Sequence, residues 1–81
     1  MFFVYILKSI KDDTFYIGLT NNIKNRVKEH NKGLRKFTKG HLPYKLKFYC
    51  AFSDKSLAAK FEKYLKSASG KAFLKKRLIN N

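Results

Sequence analysis

The side chains best suited to chemistry include an arginine and a histidine four residues apart, Arg26 and His30. On an α-helix this spacing places both side chains on one face, about 40° apart. Ile23 and Val27 lie on the same arc, so the helix directs an imidazole and a guanidinium toward its packing partner. An imidazole can move protons near neutral pH. The alternative is a buried histidine with a structural hydrogen bond and an Arg26–Glu29 ion pair.

Glu62 is the acidic residue that local structure explains least well. The other acidic residues suit a turn, a helix N-cap or an ion pair with Arg26. In proteins Mg²⁺ often takes one or two carboxylates, keeps several waters and binds substrate phosphate. Glu62 is therefore a candidate magnesium ligand, and the alternative is an i,i+4 ion pair with Lys66 on the same helix.

Tyr5 and Tyr16 lie in two apolar segments that are separated by a turn-like sequence. A hairpin loop of two or four residues places both tyrosines on one face of the sheet, whereas a loop of three places them on opposite faces. With the loop at Lys11-Asp12, Tyr5 lies opposite Gly18. A glycine within a strand often marks the close approach of a ligand or of another part of the chain. The alternative is two ordinary strand tyrosines, which are common.

Three predicted strands and three predicted helices must position these residues. The first strand is apolar on both of its alternating sides, which predicts a central place in the sheet. A hairpin leads to the second strand, and an asparagine caps the helix that carries Arg26 and His30. In chain order the predicted elements are the strands Phe2–Lys8 and Phe15–Thr20, a helix from Asn21 or Asn22 to Asn31 or Lys32, the strand Lys45–Phe52, a helix from Ser53 or Asp54 to Gly70, and a helix Lys71–Ile79.

The order β-β-α-β-α-α is typical of the α+β class, here a small antiparallel sheet covered by helices. With 81 residues, the chain is expected to form one domain, residues 1–81. The third strand alternates, so its expected core residues lie on one face: Leu46, Phe48, Cys50 and Phe52. The expected core residues of the last two helices are Leu57, Phe61, Leu65, Ala68, Phe73, Leu74 and Leu78.

The charge of the chain indicates a polyanionic partner. Lys and Arg together number 19 against 5 Asp and Glu, which gives a formal net charge of +14. Nucleic acid is the expected partner, because neutralised phosphates release counterions and so drive association. A merely solvated basic surface and an anionic membrane are the alternatives. The sequence has neither a membrane-spanning run nor a signal-peptide pattern, so we expect no membrane contact and a cytoplasmic location.

Phe3-Val4-Tyr5, followed by Tyr16-Ile17-Gly18, resembles the paired motif of the GIY-YIG nucleases. The second half matches letter for letter, while the first half keeps the tyrosine and lacks the glycine. The rest of the chain resembles the small stand-alone bacterial members, which are related to the N-terminal domain of the DNA-repair excinuclease. The residues that carry this likeness are Arg26, Glu29-His30-Asn31, Gly33, Thr38, Pro43, Glu62 and the segment from Leu65-Lys66 through Ser69-Gly70-Lys71.

The resemblance implies a three-stranded antiparallel sheet with the first strand central, and hydrolysis of phosphodiester bonds with one divalent metal ion. It implies that Tyr5 and Tyr16 are catalytic, that Arg26 stabilises charge on the phosphate, and that Glu62 holds Mg²⁺. His30 matches a position that is histidine in several branches. Either a tyrosine or His30 would activate the water. A tyrosine would need neighbouring positive charge to lower its pKa, whereas a histidine titrates near neutral pH.

Two hypotheses follow from these residues. The first is a magnesium-dependent endonuclease, with DNA favoured over RNA as its substrate. The second is a nucleic-acid-binding module that retains the nuclease fold and does not cleave. In both, a basic loop and the basic C-terminal segment are expected to contact phosphates, and a solvated surface is the alternative. These basic residues are Lys32, Arg35, Lys36, Lys39, Lys71, Lys75, Lys76 and Arg77.

Overall fold

A three-stranded antiparallel sheet forms the middle layer of the protein. In the computed structural model, which describes residues 1–79, the strands are β1 (Phe2–Ser9), β2 (Phe15–Thr20) and β3 (Tyr44–Phe52). Their order across the sheet is β2-β1-β3. The central position of β1 confirms the prediction made from its two apolar sides, and the predicted α+β class is also confirmed.

The hairpin between β1 and β2 fixes the face on which each tyrosine lies. Tyr5 pairs with Gly18, and Leu7 pairs with Tyr16. Directly paired residues share a face, and successive pairs alternate between the two faces. Tyr5 and Tyr16 are therefore on the same face, as a loop at Lys11-Asp12 predicts.

Helices cover both faces of the sheet. The face that bears Tyr5 and Tyr16 is covered by α1 (Ile23–Asn31). The opposite face is covered by α2 (Lys55–Lys66), α3 (Ala68–Phe73) and a π-helical turn (Leu74–Leu78). No helix among residues 1–79 is long and apolar enough to cross a bilayer.

The two ends of α1 have the caps that the sequence predicts. The side chain of Asn22 accepts a hydrogen bond from the backbone N–H of Asn25, at 3.1 Å, and so satisfies one of the free donors of the first turn. Gly33 has a φ of +75° just after the helix, a conformation that favours glycine. The loop that follows contains a short 3₁₀ turn (Lys39–His41) and leads back to β3.

Each face of the sheet has its own hydrophobic cluster. On the α1 face, Tyr5, Leu7 and Tyr44 are buried and pack with half-buried residues of α1 and the strands. The cluster on the opposite face contains the buried residues Val4, Ile6, Ile17, Ala58, Leu65, Leu74 and Ile79. Because β1 contributes to both clusters, its side chains connect the two helical layers.

The prediction that Leu46 shares a face with Phe48 and Phe52 is wrong. The pairing of β1 with β3 shifts by one residue, so that Ile6 pairs with Phe48 but Leu7 pairs with Leu46. A β-bulge of this kind inserts one extra residue into a strand and reverses the alternation beyond it. Leu46 consequently packs with the Tyr5 cluster, while Phe48 and Phe52 pack against the α2 side.

The predicted boundary between the last two helices is also wrong. The helix that was expected to run to Gly70 ends at Lys66, and Ser67 caps α3 by accepting a hydrogen bond from the Gly70 N–H. Gly70 is buried within α3, where a Cβ would overlap the carbonyl oxygen of Tyr64. Close backbone contact between α2 and α3 thus requires this glycine. Leu57, which was expected in the apolar stripe, is 52% exposed, and the adjacent residue Ala58 is buried instead.

Candidate active site

Three of the predicted site residues meet on the α1 face of the sheet. Tyr5 of β1 and His30 of α1 are buried, and the Tyr5 hydroxyl lies 3.0 Å from His30 Nε2. Tyr16 of β2 is half-buried, with its ring centroid 4.9 Å from that of His30 and 6.3 Å from that of Tyr5. Tyr16 is thus the most accessible of the three aromatic side chains.

Gly18 makes this arrangement possible. A Cβ at position 18 would overlap both the ring and the hydroxyl of Tyr5. The Tyr5 side chain therefore extends across β2 over the space that a larger residue would fill. The close approach expected from a glycine inside a strand is confirmed, and the approaching group is Tyr5.

Both ring nitrogens of His30 belong to a chain of hydrogen bonds. The Thr38 hydroxyl donates to the Arg35 carbonyl, at 3.4 Å, and lies 2.7 Å from His30 Nδ1. In the tautomer in which the Thr38 proton stays on the Arg35 carbonyl, Thr38 accepts a hydrogen bond from Nδ1–H. His30 Nε2 is then unprotonated and accepts from the Tyr5 hydroxyl. Thr38 is fully buried and was not predicted as a site residue; its signal in the sequence was only its place in the family resemblance.

Burial and nearby charge hold His30 neutral. Desolvation lowers the pKa of His30 to about 4, with the positive charges of Arg35 and Arg26 acting in the same direction. At neutral pH the imidazole is therefore a free base. Burial also raises the pKa of Tyr5 to about 12, and the neighbouring Tyr16 adds to that rise while Arg26 opposes it. Tyr5 accordingly remains protonated at neutral pH and acts as a donor.

Arg26 has both of the roles considered from the sequence, an ion pair and a position near the tyrosines. Its Nε lies 3.2 Å from Glu29 Oε1, and the side chain is 27% exposed. Arg35 approaches the same carboxylate oxygen, at 3.6 Å. Arg26 is also close enough to Tyr5 and His30 to lower the pKa of each. A guanidinium thus remains beside the buried tyrosine and histidine even while Glu29 partly neutralises it.

Glu62 belongs to α2, the helix that covers the other face of the sheet. Its helix, α2, packs against the cluster of Val4 and Ile6, and its Oε2 forms an ion pair with Lys66 at 3.0 Å. Among residues 1–79, no hydrogen bond or ion pair joins Glu62 to the tyrosines, Arg26 or His30. Nor do the described residues contain a group of three His, Cys, Asp or Glu side chains that could hold a metal ion.

The predicted phosphate-binding residues form two separate groups. Three exposed lysines and the half-buried Arg35 belong to the loop after α1, beside Thr38. The C-terminal residues are exposed on α3 and the π-helical turn, in the layer on the other face of the sheet. Of the first group, Arg35 reaches the candidate site through Glu29, while Lys32, Lys36 and Lys39 belong to the same loop. The second group, Lys71, Lys75, Lys76 and Arg77, belongs to the opposite layer.

Comparison with known proteins identifies the family of this chain. The sequence model of the family described as the GIY-YIG catalytic domain matches residues 1–77. The chain belongs to the GIY-YIG family. This family indicates a nuclease-type function and implies a nucleic-acid substrate, and GIY-YIG domains are usually metal-dependent. The prediction of one domain over residues 1–81 is compatible with the match and stays a prediction.

Several relatives are small GIY-YIG proteins of the group named UPF0213. The chain is 45% identical to UPF0213 protein CPE1444 of Clostridium perfringens over 82% of this chain and 71% of the relative. It is 41% identical to UPF0213 protein YazA of Bacillus subtilis over 85% of this chain and 70% of the relative. The solution NMR structure of UPF0213 protein BH0048 of Bacillus halodurans is similar to this GIY-YIG domain, with a TM-score of 0.58 and 35% identity. That likeness covers 94% of this chain and 84% of the other.

Proposed function

We propose that this protein is a magnesium-dependent endonuclease that hydrolyses phosphodiester bonds in DNA, in the cytoplasm. The observation that carries the proposal is the buried Tyr5–His30–Thr38 hydrogen-bond chain beside Tyr16 and Arg26. A neutral imidazole in a hydrogen-bonded network that leaves Nε2 as the acceptor is an arrangement suited to proton transfer. Perturbed pKa values at both Tyr5 and His30 also favour a functional site over an ordinary strand surface.

The half-buried Tyr16 and the guanidinium of Arg26 are the groups available to the substrate. Arg26 would bind a nonbridging oxygen of the scissile phosphate and stabilise the charge that develops there, exchanging part of its contact with Glu29 for the phosphate. Tyr16 would hydrogen-bond the attacking water. The nearby Lys36 and Lys39 would hold the flanking phosphates of the same strand.

The buried pair of Tyr5 and His30 would receive the proton that the water loses. In this scheme substrate binding uncovers the Tyr5 oxygen, which accepts that proton while its own hydroxyl proton passes to His30 Nε2. Tyr5 remains neutral overall, and His30 becomes an imidazolium that Thr38 orients through Nδ1. The hydroxide then attacks phosphorus, and the 3′ or 5′ oxygen leaves with a proton from solvent. Because Tyr5 has a raised pKa, passing the proton on to His30 avoids a free tyrosinate.

Glu62 is the residue that we propose as the magnesium ligand. Phe61 and Glu62 lie on opposite flanks of the Ala58–Leu65 stripe, and Phe61 packs on Phe52 of β3, so Glu62 faces away from β3. Its side chain is 22% exposed, and its ion pair uses only one carboxylate oxygen.

This donor set fits magnesium. An i,i+4 pair is worth only about 0.2–0.5 kcal/mol, which leaves the carboxylate available to a metal. A single carboxylate suits Mg²⁺ when water and substrate phosphate complete the coordination. When bound, the ion would polarise the phosphate and lower the pKa of its water.

A non-cleaving binding module is the second candidate, and one observation favours it. Tyr5 is 1% exposed and His30 is not exposed at all, so neither can touch a phosphate unless the residues that cover them move. A structural network would look the same in this respect. The two candidates differ in cleavage and not in binding.

A panel of labelled single-stranded, duplex, flap and branched DNA, with matching RNA, tests the proposal. We expect cleavage of at least one DNA substrate with Mg²⁺ and none with a chelator. His30→Gln is the informative variant, because glutamine can still accept a hydrogen bond from Tyr5 but is not a base at neutral pH. If the protein binds these substrates but cleaves none of them with any divalent metal ion, the nuclease proposal is wrong and the protein is a binding module.

A further inference from the structure

An open groove lies beside α1, on the side that faces β3. Its volume is about 670 Å³, which is in the range of sites for small ligands. The apolar floor is formed by Phe3 of β1, Val27 of α1, and Leu46 and Tyr49 of β3. The bulge that moves Leu46 to this face therefore contributes directly to the floor. We name this feature the Tyr49 groove.

Tyr49 offers an uncovered aromatic face. Tyr49 is 56% exposed, and its ring meets that of Phe3 at a centroid distance of 6.1 Å with 66° between the ring planes. In such an edge-to-face contact Phe3 covers at most one face of the Tyr49 ring. The other face is free to stack on a flat apolar group, and nucleobases stack on exposed tyrosines without regard to sequence.

The charged residues at the rim suit an anion. Lys24 and Lys28 are the charged residues among those that line the groove, and both are exposed. α1 also has no acidic residue in its first turn. A second copy of this chain is a poor occupant, because each copy carries +14. A flat apolar floor with two lysines at its rim matches a nucleotide, which joins an aromatic base to a phosphate.

The groove and the candidate active site lie on opposite flanks of α1. Arg26 is on the flank that leads to Tyr16, while Lys24 and Lys28 are on the other flank. The separation is about the width of a helix, 10–12 Å, which a nucleic-acid strand spans in a few nucleotides. One strand could therefore cross α1 and reach both places.

We propose that the Tyr49 groove binds one unpaired nucleotide of the substrate strand, with its base stacked on Tyr49 and its phosphates on Lys24 and Lys28. This inference builds on the proposed nuclease function and specifies the substrate class. A paired base is held in the duplex stack and cannot enter, so the groove selects substrates with a single-stranded segment near the cleaved bond.

Binding without divalent metal tests the groove separately from catalysis. The probe is a short fluorescein-labelled thymidine oligonucleotide, compared with a blunt duplex and a uridine oligoribonucleotide. Tyr49→Ala should weaken binding of the single strand at least about fivefold and leave the duplex unchanged. Tyr49→Phe keeps the stacking face and should bind like the wild type. Tyr64→Ala is the matched control, since Tyr64 is 43% exposed on α2 in the opposite layer.

Two further measurements separate the base from the phosphates. On an oligonucleotide made of abasic residues, Tyr49→Ala and the wild type should bind with equal affinity. On the thymidine oligonucleotide, Tyr49→Ala should leave the salt dependence of binding unchanged. Lys24→Gln combined with Lys28→Gln should lower the slope of log affinity against log salt by about one unit or more. The ribonucleotide arm shows whether the site takes deoxyribose, ribose or both.

The outcomes distinguish this inference from the proposed function. Equal binding by Tyr49→Ala and Tyr64→Ala would overturn the groove even if the wild type cuts DNA. Loss of self-association in Tyr49→Ala, seen by sedimentation of a dimeric wild type, would also overturn it in favour of a second copy. If the wild type cuts nothing but the Tyr49 effect holds, the groove stands and the nuclease proposal fails.

Discussion

Acid should destabilise this protein through the buried His30. The pKa of His30 is about 4 in the folded protein and is about 6.5 in an unfolded chain. Because the folded pKa is the lower one, the neutral imidazole stabilises the fold above pH 6.5, and that contribution is lost as the pH falls toward 4. Integrating the difference between pH 7 and pH 5 gives a loss of about 2 kcal/mol.

Urea denaturation at pH 7 and pH 5 measures this loss, and thermal melting should show a fall of roughly 10 °C in Tm. His30→Gln should be less stable at pH 7 than the wild type, but it should lose much less stability between the two pH values. His41→Asn is the control, because it removes the other histidine and keeps the buried one. If His30→Gln and the wild type have parallel stability profiles, the pKa of His30 is not lowered by burial and the imidazole is not held neutral.

Three other variants test separate parts of the site. Arg26→Ala should lower the cleavage rate about 100-fold or more and the affinity much less, because Arg26 is proposed to stabilise charge in the transition state. Equal losses of cleavage and affinity would show that Arg26 only contacts a phosphate. Glu62→Gln should abolish magnesium-dependent cleavage while the protein stays folded and binds nucleic acid as tightly as before, and cleavage at the wild-type rate would exclude Glu62 as the ligand. Gly18→Ala should cost about 1–3 kcal/mol in urea denaturation because its Cβ overlaps Tyr5, whereas Gly40→Ala, with open space around it, should change stability little.

The sequence predicted those parts of the site that depend on regular periodicity. The alternation along β1 and β2 places Tyr5 and Tyr16 on one face, and the helical spacing of Arg26 and His30 turns both toward that face. The alternation of a strand and the roughly 3.6-residue repeat of a helix each depend on one element alone, so the local sequence was sufficient to predict these faces. The fold class and the central position of β1 followed from the same patterns.

Features that depend on contacts between distant segments could not be predicted in the same way. Thr38 forms a hydrogen bond with His30 only because the irregular loop after α1 folds back. An irregular loop has no repeating pattern of apolar residues, so the sequence does not predict which way its side chains point. The bulge in β3 moves Leu46 to the other face of the sheet, and the strand contains no glycine or proline that would indicate a bulge. Gly70 looked like a helix stop, but it is required by the packing of α3 against α2.

The position of the two basic groups in opposite layers has a consequence for stoichiometry. The sheet separates the loop that carries Lys36 and Lys39 from the segment that carries Lys71 and Lys75, so one straight duplex can lie along only one group at a time. If both groups bind phosphates as predicted, each chain has two separate binding surfaces for long nucleic acids. At comparable concentrations of protein and DNA, we expect cross-linked networks that scatter light, disperse in salt, and dissolve again when either component is in large excess.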